Sequence, residues 1–275
     1  MFEKIYINGC SYVAGAGLPF HHLAWEDVQG DVGKLLQSEL GAEWIRCDAK
    51  GGCSNDRIRR TTIDFVLKNL HLKNLLVVIG WTQFTRFELF DELESSSNRT
   101  PNNYIQLNSG LAHTKYSKES FFDNMRDRIT NPMGKMIRFG TGKDHHEGKI
   151  QSFKKFWETY MMRHYNLEDM YEKYLDNILY TQFFLESNNI SYIMFDSLWS
   201  INEEKLYNKF LQKRQQINFD KWVWGEGKLS WTEYLSKIDP ESKKTRVGKW
   251  DDHPNQYGHK IWFELVSQKV KELYG

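Results

Sequence analysis

Gly9-Cys10-Ser11-Tyr12 follows a short run of β-branched and aromatic residues, Lys4-Ile5-Tyr6-Ile7-Asn8. A hydroxyl on a glycine-assisted turn at the end of a strand can act as a nucleophile once a base takes its proton, because a free hydroxyl is barely ionised at neutral pH. Taken alone, a serine in that place is more often a cap or turn residue. A base stands near the other end of the chain, where Trp250-Asp251-Asp252-His253-Pro254-Asn255 sets carboxylates beside an imidazole. An imidazole held in one tautomer by a carboxylate can take a proton and later return it. The plainer reading of His253 is a helix-entry residue bonded to its neighbours, with Pro254 fixing the backbone and Asn255 capping.

Other polar clusters carry less. Asn55, Asp56 and Arg57 open a helix after Gly51-Gly52, where Asn55 can cap and also line a pocket. Arg86 and Glu88 read as surface polar residues, or else as an ion pair ordering a site wall. His21-His22, His113 and His145-His146 have no carboxylate or thiol at a ligand-like spacing and read as exposed loop histidines, so no metal is expected. Gly15 and Gly17 lack the flanking pattern of a phosphate cradle, and no nucleotide or other organic cofactor is expected. Cys10, Cys47 and Cys53 are odd in number and form no ligand pair, which suits reduced thiols in a cytosolic setting.

The elements that must position these residues follow from periodicity. Lys4 to Asn8 is a buried first strand, and about Ala24 to Leu40 is a helix closed by Gly41. Glu43 to Cys47 is a second strand, Gly51-Gly52 a tight turn, and Ser54 or Asn55 the N-cap of a helix that turns Ile58, Ile63, Phe65, Val66 and Leu70 inward. Leu75 to Gly80 is apolar on both faces, as expected in the middle of a parallel sheet covered by helices on both sides. Thr82 to Lys149 loses regularity and reads as an insertion that can act as a cap. Helical periodicity returns from Ser152 to Ser187, a fourth strand spans Ser191 to Asp196, Glu203 to Gln216 suits a helix, and Gln256 to Tyr274 is the last helix. The rest of Ile201 to Gly248 gives no clear pattern.

Composition sets outer bounds. The 275 residues hold 37 Lys and Arg against 36 Asp and Glu, which provides no electrostatic footprint for nucleic acid. No run approaches the roughly 20 apolar residues of a membrane helix. The N-terminal residues carry no signal-peptide pattern, so a cytoplasmic location is expected. With 10 Trp, 14 Tyr and 17 Phe, the chain has rings enough for a large core and for lining a groove.

Taken together and in order, Gly9-Cys10-Ser11, Gly52-Cys53-Ser54-Asn55, Gly80-Trp81-Thr82 and Asp251-Asp252-His253-Pro254-Asn255 resemble the four blocks of the SGNH (GDSL-like) hydrolases. The Gly-Cys-Ser-Tyr and Gly-Trp-Thr variants are similar to those of SGNH-like proteins encoded by bacteriophages and bacteria, and a phage origin would mean the host cytoplasm or the virion. The resemblance implies Ser11 as nucleophile, His253 as base and Asp251 as the carboxylate that orients it, with Asp252 the alternative. It implies an oxyanion hole made by the amides of Ser11 and Gly52, or Gly51 in its stead, together with Thr82. Thr82 stands where the family has an asparagine, and its shorter, freely rotating hydroxyl is the weaker donor. Asn55 is the expected substrate-binding residue.

The fold expected is α/β, a three-layer α/β/α sandwich around a parallel, flavodoxin-like sheet of about five strands, in one domain over 1–275 with the insertion at 82–149. The activity expected is hydrolysis of a small-molecule or carbohydrate ester, an O-acetyl group being one candidate, through an acyl-enzyme. Transfer to an acceptor other than water uses the same residues. A catalytically impaired binding or structural module is the alternative.

Overall fold

The computed structural model describes residues 2–15, 39–84, 86–90, 104–108, 166–198, 204–224, 229–248 and 251–275. Its centre is a sheet of four parallel strands, β1 (Lys4–Asn8), β2 (Trp44–Cys47), β3 (Leu75–Trp81) and β6 (Ser191–Asp196), in the order β2-β1-β3-β6. Every residue of β3 is buried, as an all-apolar run between two neighbours and two helical layers requires. Register is tight along its length, with Ile7 opposite Val78 and Val78 opposite Ile193.

Helices cover both faces. Helix α1 (Asn55–Lys68) is capped by Ser54, whose hydroxyl accepts the Arg57 amide, and α2 (Leu167–Ser187) is capped in the same manner by Asn166. Phe195 meets Trp231 and Trp262, whereas the next residue, Asp196, meets Tyr174 of α2. Successive strand side chains point to opposite faces, so α2 lies on one side and the tryptophans on the other. Those tryptophans belong to α5 (Trp231–Ile238) and α6 (Gln256–Tyr274). The architecture is therefore α/β/α, as the spacing predicts.

The fifth strand position is filled differently from the expectation. Among the described residues, chain beside β6 makes two isolated parallel bridges, Met194 with Trp222 and Asp196 with Ser230. A 3-10 turn at Phe219–Lys221 leads into the first bridge, and the second falls on Ser230, the N-cap of α5. The expected helix over Glu203 to Gln216 is two short pieces, α3 (Glu204–Lys209) and α4 (Leu211–Arg214), separated at Phe210. Within the proposed insertion, β4 (Arg86–Phe90) and β5 (Tyr104–Asn108) pair antiparallel. Residues 85, 91–103 and 109–149 of that span, most of the helix expected over 24–40, and the first part of the 152–187 periodicity lie outside the described residues, as do His21, His22, His113, His145 and His146.

The segment before the last helix is a small antiparallel hairpin, β7 (Arg246–Gly248) with β8 (Asp251–Pro254). His253 is therefore a strand residue, with Asn255 capping α6 through both the Tyr257 and Gly258 amides. Among the described residues no helix is long and apolar enough to cross a membrane.

Candidate functional site

At the carboxyl end of β1 the chain turns sharply over the neighbouring strand. Asn8 anchors that end: its amide donates to the Ile58 carbonyl at 3.1 Å and to the Thr62 hydroxyl at 2.9 Å, and its oxygen accepts the Gly9 amide. A side chain at Gly9 would collide with Val13, and one at Gly80 would collide with both Val13 and Ser197. Two glycines thus let the turn carrying Ser11 sit directly on the ends of β1 and β3. That turn is closed by the Ala14 amide donating to the Cys10 carbonyl at 2.9 Å, with Ser11 only 9% exposed.

The double-glycine loop is stitched to the same place. The Lys50 amide and the Cys53 thiol both donate to the Gly9 carbonyl, each at 3.0 Å. The Cys53 amide then closes a four-residue turn onto the Lys50 carbonyl, and Gly52 takes φ +74, which the third position of a type II turn requires. Gly51 lies against the turn that carries Ser11, since a Cβ there would stand 3.8 Å from Ser11 Cβ. The amides of Ser11 and Gly52 donate to no other described residue. Cys53 is fully buried, and burial pushes its thiol up to about 12, Arg57 and Arg86 pulling the other way.

His253 Nε2 stands 3.0 Å from Ser11 Oγ, although the two residues lie 242 positions apart. Two donors converge on the carbonyl just before it: Tyr12 Oη reaches the Asp252 oxygen at 2.9 Å and the Arg246 guanidinium reaches it at 2.7 Å. The Tyr12 and His253 rings are 5.1 Å apart, and Tyr12 also meets Trp231 edge-on. Burial pushes the Tyr12 phenol up to about 12, so it remains a donor at any working pH. The buried Arg246 further donates to the Thr232 carbonyl and the Ser236 hydroxyl, which ties the hairpin to α5.

The two candidate carboxylates part company. Asp252 turns its side chain outward, 71% exposed and 3.8 Å from Arg246. The Asp251 side chain lies outside the described residues.

Asn55 does not line a pocket. It is 2% exposed, and its amide is committed to the backbone after β3: Oδ1 accepts the Thr82 amide at 2.9 Å, while Nδ2 donates to the carbonyls of Thr82 and Gln83. Both Nδ2 hydrogens are thus committed, and Asn55 holds the backbone at Thr82. The Thr82 hydroxyl accepts from Arg86 Nη1 at 2.8 Å. Arg86 is thus a half-buried partner of Thr82, and the Glu88 side chain lies outside the described residues.

An arrangement with a hydroxyl in contact with an imidazole, and two uncommitted amides nearby, can deprotonate the hydroxyl and receive negative charge. Among the described residues no group of acidic, histidine and cysteine side chains could hold a metal ion. Tyr12, Arg246 and the Thr82–Arg86 contact escape the sequence reading; only the position of Tyr12 beside Ser11 gave a signal.

No family model matches the chain, and no curated protein matches it. Solved structures similar to it include a member of the lipolytic protein G-D-S-L family from Veillonella parvula DSM 2008, 10% identical, covering 98% of this chain and 97% of that one at a TM-score of 0.39. A carbohydrate esterase is 12% identical over 99% of this chain and 69% of its own, at a TM-score of 0.41. The acetyl xylan esterase AlAXEase is 15% identical over 99% of this chain and all of its own, at a TM-score of 0.31.

Proposed function

We propose that the chain is a serine hydrolase that cleaves carboxylic esters through an acyl-enzyme on Ser11. The observation that carries this reading is the 3.0 Å contact between Ser11 Oγ and His253 Nε2 at the carboxyl edge of a parallel sheet, where α/β folds bind their ligands. His253 takes the Ser11 proton as Oγ attacks the ester carbonyl carbon. The carbonyl oxygen becomes an oxyanion, received by the amides of Ser11 and Gly52 and by the Thr82 hydroxyl. Collapse of the tetrahedral intermediate breaks the bond to the alkoxy oxygen, and His253 returns the proton to the departing alcohol. A water deprotonated by the same imidazole then attacks the acyl-enzyme and releases the acid.

Asp251 is the carboxylate this reading assigns to His253. It stands two positions away along β8, the spacing at which strand positions share a face, while the Asp252 carboxylate is directed to solvent and Arg246.

A fluorophosphonate probe tests the reading: labelling of the wild-type chain that is abolished in Ser11→Ala and His253→Ala is the expected result. A folded wild-type chain that takes no label and does not hydrolyse p-nitrophenyl acetate would sink it and favour a binding module. O-acetylated carbohydrates are the first natural class to assay, and product analysis with an added acceptor alcohol separates hydrolysis from acyl transfer.

A further inference from the structure

The weak point of the proposed oxyanion site is Thr82, a short side chain whose hydroxyl would ordinarily rotate among several partners. Its surroundings remove that freedom. Asn55 grips the Thr82 backbone from both sides, accepting its amide at 2.9 Å and donating to its carbonyl at 3.1 Å. Thr82 itself is 3% exposed, so water does not compete for the hydroxyl. The Arg86 amide donates to the Gln83 carbonyl at 3.2 Å, a tight turn that folds Arg86 back toward Thr82, and Nη1 then donates to Thr82 Oγ1 at 2.8 Å.

A guanidinium has five N–H donors and no acceptor. When it occupies a lone pair of a hydroxyl, the hydroxyl proton must point elsewhere, and no described residue accepts it. The contact is also charge-assisted, which makes the hydroxyl a stronger donor than an isolated threonine. Arg86 Nε is buried with no acceptor among the described residues.

We infer that Arg86 is a positioning residue of the oxyanion site: by donating to Thr82 Oγ1 it fixes the hydroxyl proton outward, so that an arginine-backed threonine does the work of a side-chain amide. This rests on the serine-hydrolase reading above. In the tetrahedral step no proton leaves Arg86 or Thr82; both hydrogen bonds shorten as charge grows on the former carbonyl oxygen.

The test is steady-state hydrolysis of p-nitrophenyl acetate by wild type, Arg86→Gln, Arg86→Lys, Thr82→Val, Thr82→Asn and the double variants, with thermal melting of each. Arg86→Gln is expected to lower kcat by roughly tenfold to a hundredfold at unchanged KM, the range for a weakened oxyanion donor. Arg86→Lys should restore most of the loss. Thr82→Val should cost about as much as Arg86→Gln, and the double variant little more, because the two act as one donor. In the Thr82→Asn background, where an amide supplies the proton, Arg86→Gln should cost less than about threefold.

Arg86→Gln with wild-type kcat, or losses that add in the Thr82→Val background, overturns the inference while leaving the hydrolase reading intact. A rise in KM confined to anionic esters, with kcat unchanged, overturns it in favour of direct binding of substrate by Arg86. A wild-type chain inert to both ester and fluorophosphonate removes the hydrolase reading and this inference together.

Discussion

The Tyr12 hydroxyl donates to the backbone carbonyl of Asp252 at 2.9 Å, so the residue following Ser11 holds the residue preceding His253. The bond ties the turn that carries the hydroxyl to the strand that carries the imidazole, and it does so one residue away from each. Distance between Ser11 and His253 is therefore set by backbone and by a rigid ring, not by the flexibility of two side chains.

Tyr12→Phe keeps the ring and removes this donor. Arg246 still serves the Asp252 carbonyl, so the fold should lose only about 1 kcal/mol, the usual worth of one hydrogen bond. Activity should fall severalfold, with kcat affected more than KM, because the loss is in how often the imidazole lies within reach of Ser11. Chemical denaturation and ester kinetics on the same preparation check both halves; unchanged kcat would mean that Arg246 alone holds the strand.

Arg246 should prove the more costly position. Its guanidinium serves the carbonyls of Asp252 and Thr232 and the Ser236 hydroxyl from a buried position. Arg246→Met strips the Thr232 carbonyl and the Ser236 hydroxyl of this donor, leaves Tyr12 alone on the Asp252 carbonyl, and should destabilise the chain by on the order of 3 kcal/mol. The melting temperature should drop by several degrees, and the fluorophosphonate labelling rate should fall even well below the transition. Labelling at the wild-type rate would show that β8 is held without it.

Asp196 governs a pH dependence of stability. Burial raises its carboxyl from 3.8 to about 7, against the opposing effect of the Tyr174 hydroxyl that donates to it and of Arg214. The unfolded chain releases this proton near pH 4 and the folded chain keeps it until about pH 7. The contribution is thus fully present below the lower value, declines across that window and is gone above it. Asp196→Asn should flatten the decline, which urea titrations between pH 4 and 8 would measure; parallel curves for the two proteins would assign the dependence to other groups.

Cys53 should be inert in the native state. Its thiol is fully buried, donates to the Gly9 carbonyl and is pushed up to about 12, so almost no thiolate exists at neutral pH. Reaction with a disulfide reagent should be slow in buffer and fast in denaturant, followed by the chromophore released and by mapping of the modified peptide. Rapid native modification of Cys53 would place it in an open environment.

Strong periodicity made the scaffold legible. The apolar run from Leu75 and the largely apolar Ser191 to Asp196 stand as strands at nearly the residues where the sequence ends them, because a sheet covered on both faces leaves little choice of register. The hairpin at 246–254 was not legible, since Asp251-Asp252-His253-Pro254 has no apolar alternation and is held by Arg246 and Tyr12 from elsewhere. Helix α5 escaped notice for a related reason: eight residues with a short tryptophan-led face give too few turns for a period to show. Asn55 reads as a cap and pocket residue, and its bonds to the loop after β3, brought alongside by the sheet, follow from no pattern in the sequence. Thr82 and Arg86 sit four positions apart across a turn whose geometry no residue-type pattern announces.

The tie between Tyr12 and Asp252 spans 240 residues of sequence. A nascent chain still on the ribosome thus carries Ser11 for most of its synthesis with no imidazole to pair with it. On the hydrolase reading, truncations that stop short of β8 should be inert however well their sheet assembles, and recovery of turnover after dilution from denaturant should report the arrival of the final strand and helix, not collapse of the interior.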